Sequence, residues 1–147
     1  MGELIITVGL PRSGKSTWIS ENKENSIVVS NDWIRENILG HSYSSASNAI
    51  VWAISDATLR IILGQSKNVI LDGINHTKFV REFYINLARK YNASVKIVYF
   101  DISLDTCINR NRTTSNKLPE DSLLAIEKEF EKPTIEECDE IIIIKES

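Results

Sequence analysis

Short apolar runs alternate with longer amphipathic segments along this chain, and this alternation restricts the fold more than any other feature. The runs are rich in β-branched residues and apolar at nearly every position, which is typical of strands buried on both faces of a parallel sheet. They cover residues 4–9, 27–29, 68–73, 94–101 and 141–144. The sequence therefore predicts an α/β domain in which about five parallel strands carry helices on both faces.

Helical periodicity fills much of the chain between these runs. Apolar residues recur at the i, i+3, i+4, i+7 spacing in segments 44–64 and 80–91, and the first of these ends at a glycine that suits a helix C-cap. Segment 120–131 lies between two prolines and is interpreted as another helix. Since 147 residues leave room for one domain, we expect a single domain over 1–147, with the polar stretch 110–118 as a short lid.

Composition excludes several classes of protein. The chain is 42% hydrophobic and 25% charged, close to the average for globular proteins, and no apolar run approaches the ~20 residues that span a bilayer. Its N-terminus has no basic region before the first apolar run, unlike a signal peptide. Cys107 and Cys138 have no CxxC spacing, so we interpret both as reduced and structural. These features predict a cytoplasmic protein that does not contact a membrane.

The net charge of −3 is unevenly distributed. Residues 76–118 carry 8 basic and 3 acidic side chains, whereas residues 119–147 carry 3 basic and 10 acidic ones. An acidic chain with one basic segment is a poor non-specific binder of nucleic acids. The basic segment is still suited to holding one polyanionic ligand.

Residues 9–16, GLPRSGKS, match the pattern G-x-x-x-x-G-K-[ST] at every required position, between a predicted strand and a predicted helix. In this phosphate loop, consecutive N–H groups and the positive end of the following helix face phosphate oxygens. Lys15 can reach the β- and γ-phosphates, and the Ser16 hydroxyl can bind Mg²⁺. The motif predicts a bound nucleoside triphosphate. The residues expected to contact it are Gly9, Leu10, Pro11, Arg12, Ser13, Gly14, Lys15, Ser16 and Thr17.

Acidic residues follow the second and third apolar runs, at the sheet edge where active sites of such folds lie. Asp32 and Arg35 are three residues apart and share a helix face, so a carboxylate could accept a proton beside a guanidinium that offsets phosphate charge. The alternative is an acid that only complements a helix dipole. Asp72 could bind Mg²⁺, orient a neighbouring group or form a turn. Asp101 ends the fourth run in the same way, but the residues after it look like the start of a helix, so we interpret Asp101 as structural.

Arg110 and Arg112 lie where a helix gives way to the lid stretch. A guanidinium on a closing lid supplies positive charge near a migrating phosphoryl group, so we expect at least one of them to be functional. His41 and His76 have no metal-ligand spacing, and we interpret both as surface or core-edge residues.

Four segments together carry a family resemblance: GLPRSGKSTW, SNDWIRENI, VILDGINHTKFVREF and DTCINRNR. They resemble the 5′-hydroxyl polynucleotide kinase domain of the bacteriophage T4 type, within the wider zeta-toxin-like, AAA-type group of small P-loop kinases. The resemblance extends from Gly9 to about Pro133. It implies a P-loop NTPase fold, ATP as the phosphate donor and Mg²⁺ as the metal cofactor.

The resemblance also implies roles for individual residues. Asp32 would be the general base on the acceptor hydroxyl, and Arg35 would contact the phosphoryl group or the acceptor phosphate. Asp72 and Asn75 would support the acceptor site, and Arg110 would contact the nucleotide.

One position departs from the family pattern. The second lid arginine of the family falls on Thr114 here. Either Arg112 substitutes for it, or the lid is built differently.

These features predict transfer of the γ-phosphate of ATP to a hydroxyl group, with a 5′-OH end of RNA or DNA as the first choice of acceptor. The basic segment favours that choice. Two alternatives stay open. One is a small-molecule kinase acting on a nucleoside, sugar or nucleotide-sugar. The other is a nucleotide-binding regulatory protein that hydrolyses ATP poorly, which the missing lid arginine favours.

Overall fold

The computed structural model describes residues 1–40 and 45–146, and five strands in these ranges form one sheet. Neighbouring strands pair in the order β2-β3-β1-β4-β5, and every pair is parallel. The strands are β1 Glu3–Val8, β2 Ser26–Ser30, β3 Asn68–Asp72, β4 Ser94–Asp101 and β5 Glu140–Lys145. The predicted α/β class and strand number are therefore confirmed.

Helices connect the parallel strands and cover the sheet. They are α1 Lys15–Asn22, α2 Asn31–Asn37, α3 Ser45–Gly64, α4 Lys78–Lys90, α5 Leu104–Thr113 and α6 Glu120–Glu129, and a short 3₁₀ helix, Ile135–Glu137, precedes β5. No helix in the described part of the chain is long and apolar enough to cross a bilayer.

The core lies on both faces of the sheet, which explains why the strand runs are apolar at consecutive positions. In β1, Leu4 and Ile6 belong to the larger apolar cluster, together with α3 and α4 residues, whereas Ile5 belongs to the cluster that contains Ile19 of α1. Successive strand side chains point to opposite faces, so a strand covered on both sides needs apolar residues throughout.

Two local details differ from expectation. Residues 110–113 form the last turn of α5, so only 114–118, which we call the lid segment, lies outside a helix. The left-handed residue after α3 is Ser66, with φ 58°, rather than the predicted Gly64. Its amide donates to the Leu63 carbonyl and that of Lys67 to the Ile62 carbonyl, an arrangement typical of a Schellman cap.

The cysteines and histidines were also expected to have no catalytic or metal-binding role. Cys107 and Cys138 are free thiols, as predicted, and Cys107 is buried. His41 lies outside the described residues, whereas His76 pairs with Glu129 at 3.2 Å on the surface of the fold.

Candidate active site

The phosphate loop joins β1 to α1, and two of its residues adopt left-handed backbone conformations. Arg12 has φ 70° and Gly14 has φ 102°. A Cβ on Gly14 would meet no atom within 4 Å, so the space beside it is open. Because α1 begins at Lys15, its unpaired N-terminal N–H groups lie directly after this open turn.

Gly9 is needed for close packing rather than for an unusual φ. A Cβ on Gly9 would lie 2.9 Å from the Cβ of Phe100 and 2.6 Å from the Oγ of Ser13. The Gly9 amide donates to the Ile74 carbonyl at 3.1 Å, which ties the loop to the turn after β3. The first glycine of the motif therefore allows β4 and the turn after β3 to approach the loop.

The other loop residues do not share one environment. Leu10 and Ser13 are buried, Pro11 is half-buried, and Ser16 and Thr17 are exposed on the first turn of α1. The Ser13 Oγ has no hydrogen-bond partner among the described residues. Ser16 and Thr17 are thus the hydroxyl residues of the loop that an approaching ligand can reach.

Lys15 is folded back onto its own loop. Its Nζ donates to the Gly9 carbonyl at 2.5 Å and to the Leu10 carbonyl at 3.0 Å. Burial lowers the pKa of Lys15 to about 8. The negative charges of Asp72 and Asp32 favour the ammonium form and partly oppose this shift. The ammonium group is therefore close enough to both carboxylates to interact with them.

Asp72 ends β3 directly opposite Ser30, the last residue of β2. It is half-buried, and burial raises the pKa of its carboxyl group. The polar Ser30 side chain and the charge of Lys15 oppose this shift. The sheet register thus brings an acid, a hydroxyl and the loop lysine to one edge.

Asp32 and Arg35 share a face of α2, as the spacing predicts. The Ser30 hydroxyl accepts a hydrogen bond from the Trp33 amide at 3.2 Å, so Ser30 is the N-cap of the helix that begins at Asn31. The Nη1 of Arg35 donates to the Oδ1 of Asp32 at 3.2 Å, and the Asp32 side chain is 73% exposed. This carboxylate is therefore accessible from solvent.

Arg35 also contacts a residue that the sequence did not point to. Its Nη2 donates to the Oδ1 of Asn48 on α3 at 2.6 Å, and its side chain is only 14% exposed. Asn48 thus holds the guanidinium beside Asp32. Nothing in the local sequence pattern marks this asparagine, because the contact depends on how α3 packs against α2.

Asn75 points into the fold. It is 5% exposed, has φ 47°, and its Nδ2 donates to the Thr7 carbonyl at 2.9 Å. The amide therefore braces the turn after Asp72 against β1. Contact between Asn75 and an acceptor, predicted from the resemblance, finds no support in this placement.

A buried ion pair holds the same turn, and sequence reasoning missed it. Arg81 is fully buried, its Nε donates to the Oε1 of Glu137 at 2.8 Å, and its Nη1 donates to the Asn75 carbonyl at 3.0 Å. The position of Arg81 in the helix could have indicated that it is buried. It lies three residues before Tyr84 and seven before Ala88, on the apolar face of α4.

The two arginines of α5 point to different partners. The Nη1 of Arg110 donates to the Arg12 carbonyl in the phosphate loop at 3.0 Å. Arg112 instead donates twice to Glu120, at 2.8 and 2.9 Å. Residues two apart on a helix face opposite sides, so one helix cannot bring both guanidinium groups to the loop. The expectation that Arg112 takes the role of the missing second lid arginine therefore finds no support in this placement.

The loop, the strand order and the acids at one sheet edge are those of a P-loop nucleotide-binding fold. The chain matches the family model described as AAA domain over residues 4–133. The chain belongs to the AAA domain family. This membership confirms the expected fold and the expected AAA-type group.

Two curated relatives of this AAA domain chain are kinases by name. The L-seryl-tRNA(Sec) kinase of Methanococcus maripaludis is 23% identical over 137 residues, which are 88% of this chain and 53% of the relative. The bifunctional polynucleotide phosphatase/kinase of Schizosaccharomyces pombe is 26% identical over 141 residues, 92% of this chain and 31% of the relative. The second match confirms the resemblance to a polynucleotide kinase domain. The chain thus spans less than two thirds of either relative.

Solved structures show the same fold. A putative kinase from Chloroflexus aurantiacus superposes with a TM-score of 0.76 at 17% identity, covering 98% of this chain and 88% of that one. The Mycobacterium tuberculosis APS kinase CysC, solved with AMPPNP and APS, superposes with a TM-score of 0.69 at 17% identity, covering 99% and 90%. At such identities the likeness shows the shared architecture alone.

Proposed function

We propose that this AAA domain chain is an ATP-dependent kinase that transfers the γ-phosphate to a hydroxyl group, with a 5′-OH end of RNA or DNA as the acceptor. One observation carries the proposal: β1, β3 and β2 are neighbouring parallel strands, so the phosphate loop, Asp72 and Asp32 all lie at the carboxyl edge of the same part of the sheet. The phosphate loop, a half-buried acid and an exposed acid therefore belong to one site. Kinase names among the relatives support the reaction class.

The phosphate loop and Lys15 would bind the triphosphate. Lys15 exchanges its bonds to the Gly9 and Leu10 carbonyls for bonds to the β- and γ-phosphates. A bound phosphate favours the ammonium form of a lysine whose pKa burial has lowered. Arg110 donates to the Arg12 carbonyl and would contact the nucleotide from the side of α5.

Ser16 and Asp72 are the residues that would hold Mg²⁺. Among the described residues, 1–40 and 45–146, no group of three or more His, Cys, Asp or Glu side chains could hold a metal by itself. Protein sites for nucleotide-bound Mg²⁺ use one or two oxygen ligands, with phosphates and water completing the shell, so one hydroxyl and one carboxylate fit it. Bound Mg²⁺ supplies positive charge that offsets the charge on the phosphate oxygens.

Asp32 would accept the proton of the attacking hydroxyl. It is exposed, whereas Asp72 is half-buried and burial raises the pKa of its carboxyl group, so Asp32 is the acid that an acceptor can reach. Arg35 holds the Asp32 carboxylate and leaves its own charge beside the incoming phosphoryl group. In-line transfer needs little more from the protein than this positioning and charge.

Two observations favour a nucleic-acid acceptor over a small molecule. Both curated relatives carry a nucleic acid in their names, a tRNA in one and a polynucleotide in the other. Trp33, next to Asp32, is 57% exposed, and an exposed aromatic ring offers a stacking surface to a nucleobase.

The test is transfer from γ-labelled ATP with Mg²⁺ to a 5′-OH oligonucleotide, run in parallel with pooled nucleosides and sugars. Asp32→Asn should abolish labelling of the oligonucleotide and leave nucleotide binding intact. Asp105→Asn is the matched control, because Asp105 is also an exposed acid in the first turn of a helix. It should label the oligonucleotide at the rate of the unmodified chain.

Each other result corrects a different part of the proposal. Label on small molecules alone would keep the mechanism and replace the acceptor. Full turnover in Asp32→Asn would leave Asp32 as a helix-dipole residue and remove it from the base role. Tight ATP binding without labelling of any acceptor would indicate the regulatory alternative.

A further inference from the structure

Arg12 joins the phosphate loop to the lid segment. Its Nε donates to the Oδ1 of Asn111 at 3.2 Å, and its Nη2 donates to the carbonyl of Asn116. In the opposite direction, Arg110 donates to the Arg12 carbonyl at 3.0 Å. Three hydrogen bonds therefore connect one loop residue with α5 and the segment 114–118.

Asn111 is the centre of this network. It is 1% exposed, its Oδ1 also accepts from the Leu118 amide at 3.0 Å, and its Nδ2 donates to the Leu118 carbonyl at 2.8 Å. This asparagine therefore closes the lid segment onto the end of α5. The guanidinium of Arg12 is attached to the same amide oxygen, so a movement of the loop is transmitted to the base of the lid segment.

The guanidinium of Arg12 is directed at the lid rather than at the open turn. Arginine has a planar fork of donors that can hold two acceptors at once, and here two of its nitrogens hold a side-chain oxygen and a backbone oxygen. The φ of 70° is one that L residues rarely adopt, and the contacts on both sides of Arg12 hold it there.

We infer that Arg12 is a lid-positioning residue, which fixes the lid segment and Arg110 against the phosphate loop, and not a phosphate ligand. Nucleotide binding and lid order are then coupled, because any change in the loop at Arg12 also changes the lid. This consequence rests on the nucleotide binding proposed above. The hydrogen bonds of Arg12 to Asn111, Asn116 and Arg110, which we call the latch, are a feature of the free protein. The inference revises the predicted place of Arg12 among the nucleotide contacts.

Amide hydrogen exchange of the lid segment in the nucleotide-free chain tests the latch. Arg12→Lys keeps the positive charge beside the phosphates but cannot hold both lid acceptors, and Arg12→Gly suits the positive φ while removing the side chain. Both variants should accelerate exchange at Leu118 about tenfold, as expected for the loss of a charge-assisted hydrogen bond. Arg60→Lys is the control, because Arg60 donates a similar exposed bond to Asp56 on α3.

A double variant tests whether the effect passes through Asn111. In an Asn111→Ala background, Arg12→Lys should accelerate lid exchange by less than it does alone, because only its bond to the Asn116 carbonyl remains to be lost. Independent, additive accelerations would contradict the latch. Because Asn111 is buried, circular dichroism of this variant at the exchange temperature verifies that it is folded.

Nucleotide titration separates the latch from a phosphate contact. Under the latch, Arg12→Lys and Arg12→Gly both loosen the lid, and nucleotide binding falls by similar factors in each. Normal lid exchange in both variants, with binding weakened only in Arg12→Gly, would make Arg12 a phosphate ligand and overturn the inference. If the unmodified chain bound no nucleotide, the proposed function would fail while the exchange data still decided the latch.

Discussion

Arg81→Met removes one partner of the buried ion pair that supports the turn after β3. Arg81 is fully buried and the Glu137 side chain is 7% exposed, so the carboxylate left behind cannot regain water without opening the fold. The Asn75 carbonyl loses its donor in the same step. We therefore expect a large loss of stability from a change that keeps an unbranched apolar stem and removes the guanidinium group.

The expected cost is about 3–5 kcal/mol, the range for breaking a buried pair by deleting one charge. Domains of this size have total stabilities of roughly 5–15 kcal/mol, so the loss is a substantial fraction of the whole. It should lower the unfolding midpoint by on the order of 10 °C.

The measurement is urea unfolding followed by circular dichroism, with Arg89→Met as the matched control. Arg89 contacts Asp139 at 2.7 Å, but both side chains are about half exposed, and Asp139 keeps a hydrogen bond from the Val95 amide. An exposed pair of this kind contributes about 1 kcal/mol or less. The two methionine variants should therefore differ by at least about 2 kcal/mol.

A double variant checks the physical cause. Arg81→Met with Glu137→Leu replaces the whole pair by apolar groups, which is often neutral in a packed interior. Recovery should stop at least about 1 kcal/mol short, because the Asn75 carbonyl still lacks its donor and the Thr134 amide loses the Glu137 carboxylate of its capping box. A cost for Arg81→Met below about 1 kcal/mol, equal to that of Arg89→Met, would refute the reasoning.

Three further predictions concern the phosphate loop and α5. Because burial lowers the pKa of Lys15 to about 8, nucleotide affinity measured by calorimetry should fall as the pH rises from about 7 to about 9, and a flat profile would contradict this. Gly9→Ala should destabilise the chain by about 1–3 kcal/mol in thermal unfolding, since its Cβ would lie 2.9 Å from that of Phe100. Arg110→Gln should weaken ATP binding about tenfold, whereas Arg112→Gln should change it by about twofold or less; equal losses would contradict the assignment.

The strands and most helices could be predicted because their signals are local. The run at 94–101 coincides with β4, and the helix predicted for 44–64 includes all of α3, with residue 44 outside the described residues. Burial on both faces produces apolar runs, and one-sided packing of a helix such as α4 produces a 3.6-residue period. The order β2-β3-β1-β4-β5 leaves no such trace, because pairing joins strands far apart in the chain.

The same distinction applies within the candidate site. Asp32 and Arg35 were expected to share a helix face, and they do, because positions i and i+3 of a helix are neighbours on its surface. The contact of Arg35 with Asn48 was not expected, because it requires α3 to pack beside α2. The inward direction of the Asn75 amide was not predicted for a related reason: a motif specifies a residue type, whereas the turn decides where its side chain points.

Covalent spacing alone thus specified the phosphate loop, the shared face of Asp32 and Arg35, and the acid at the end of β3. Backbone geometry converts spacing along the chain into direction over a few residues, so these features need no knowledge of the rest of the molecule. Only the packed structure decided that Arg12 contacts Asn111 of α5, 99 residues away, and through it the lid segment. Such contacts depend on how separate layers pack, and local sequence carries no signal for them.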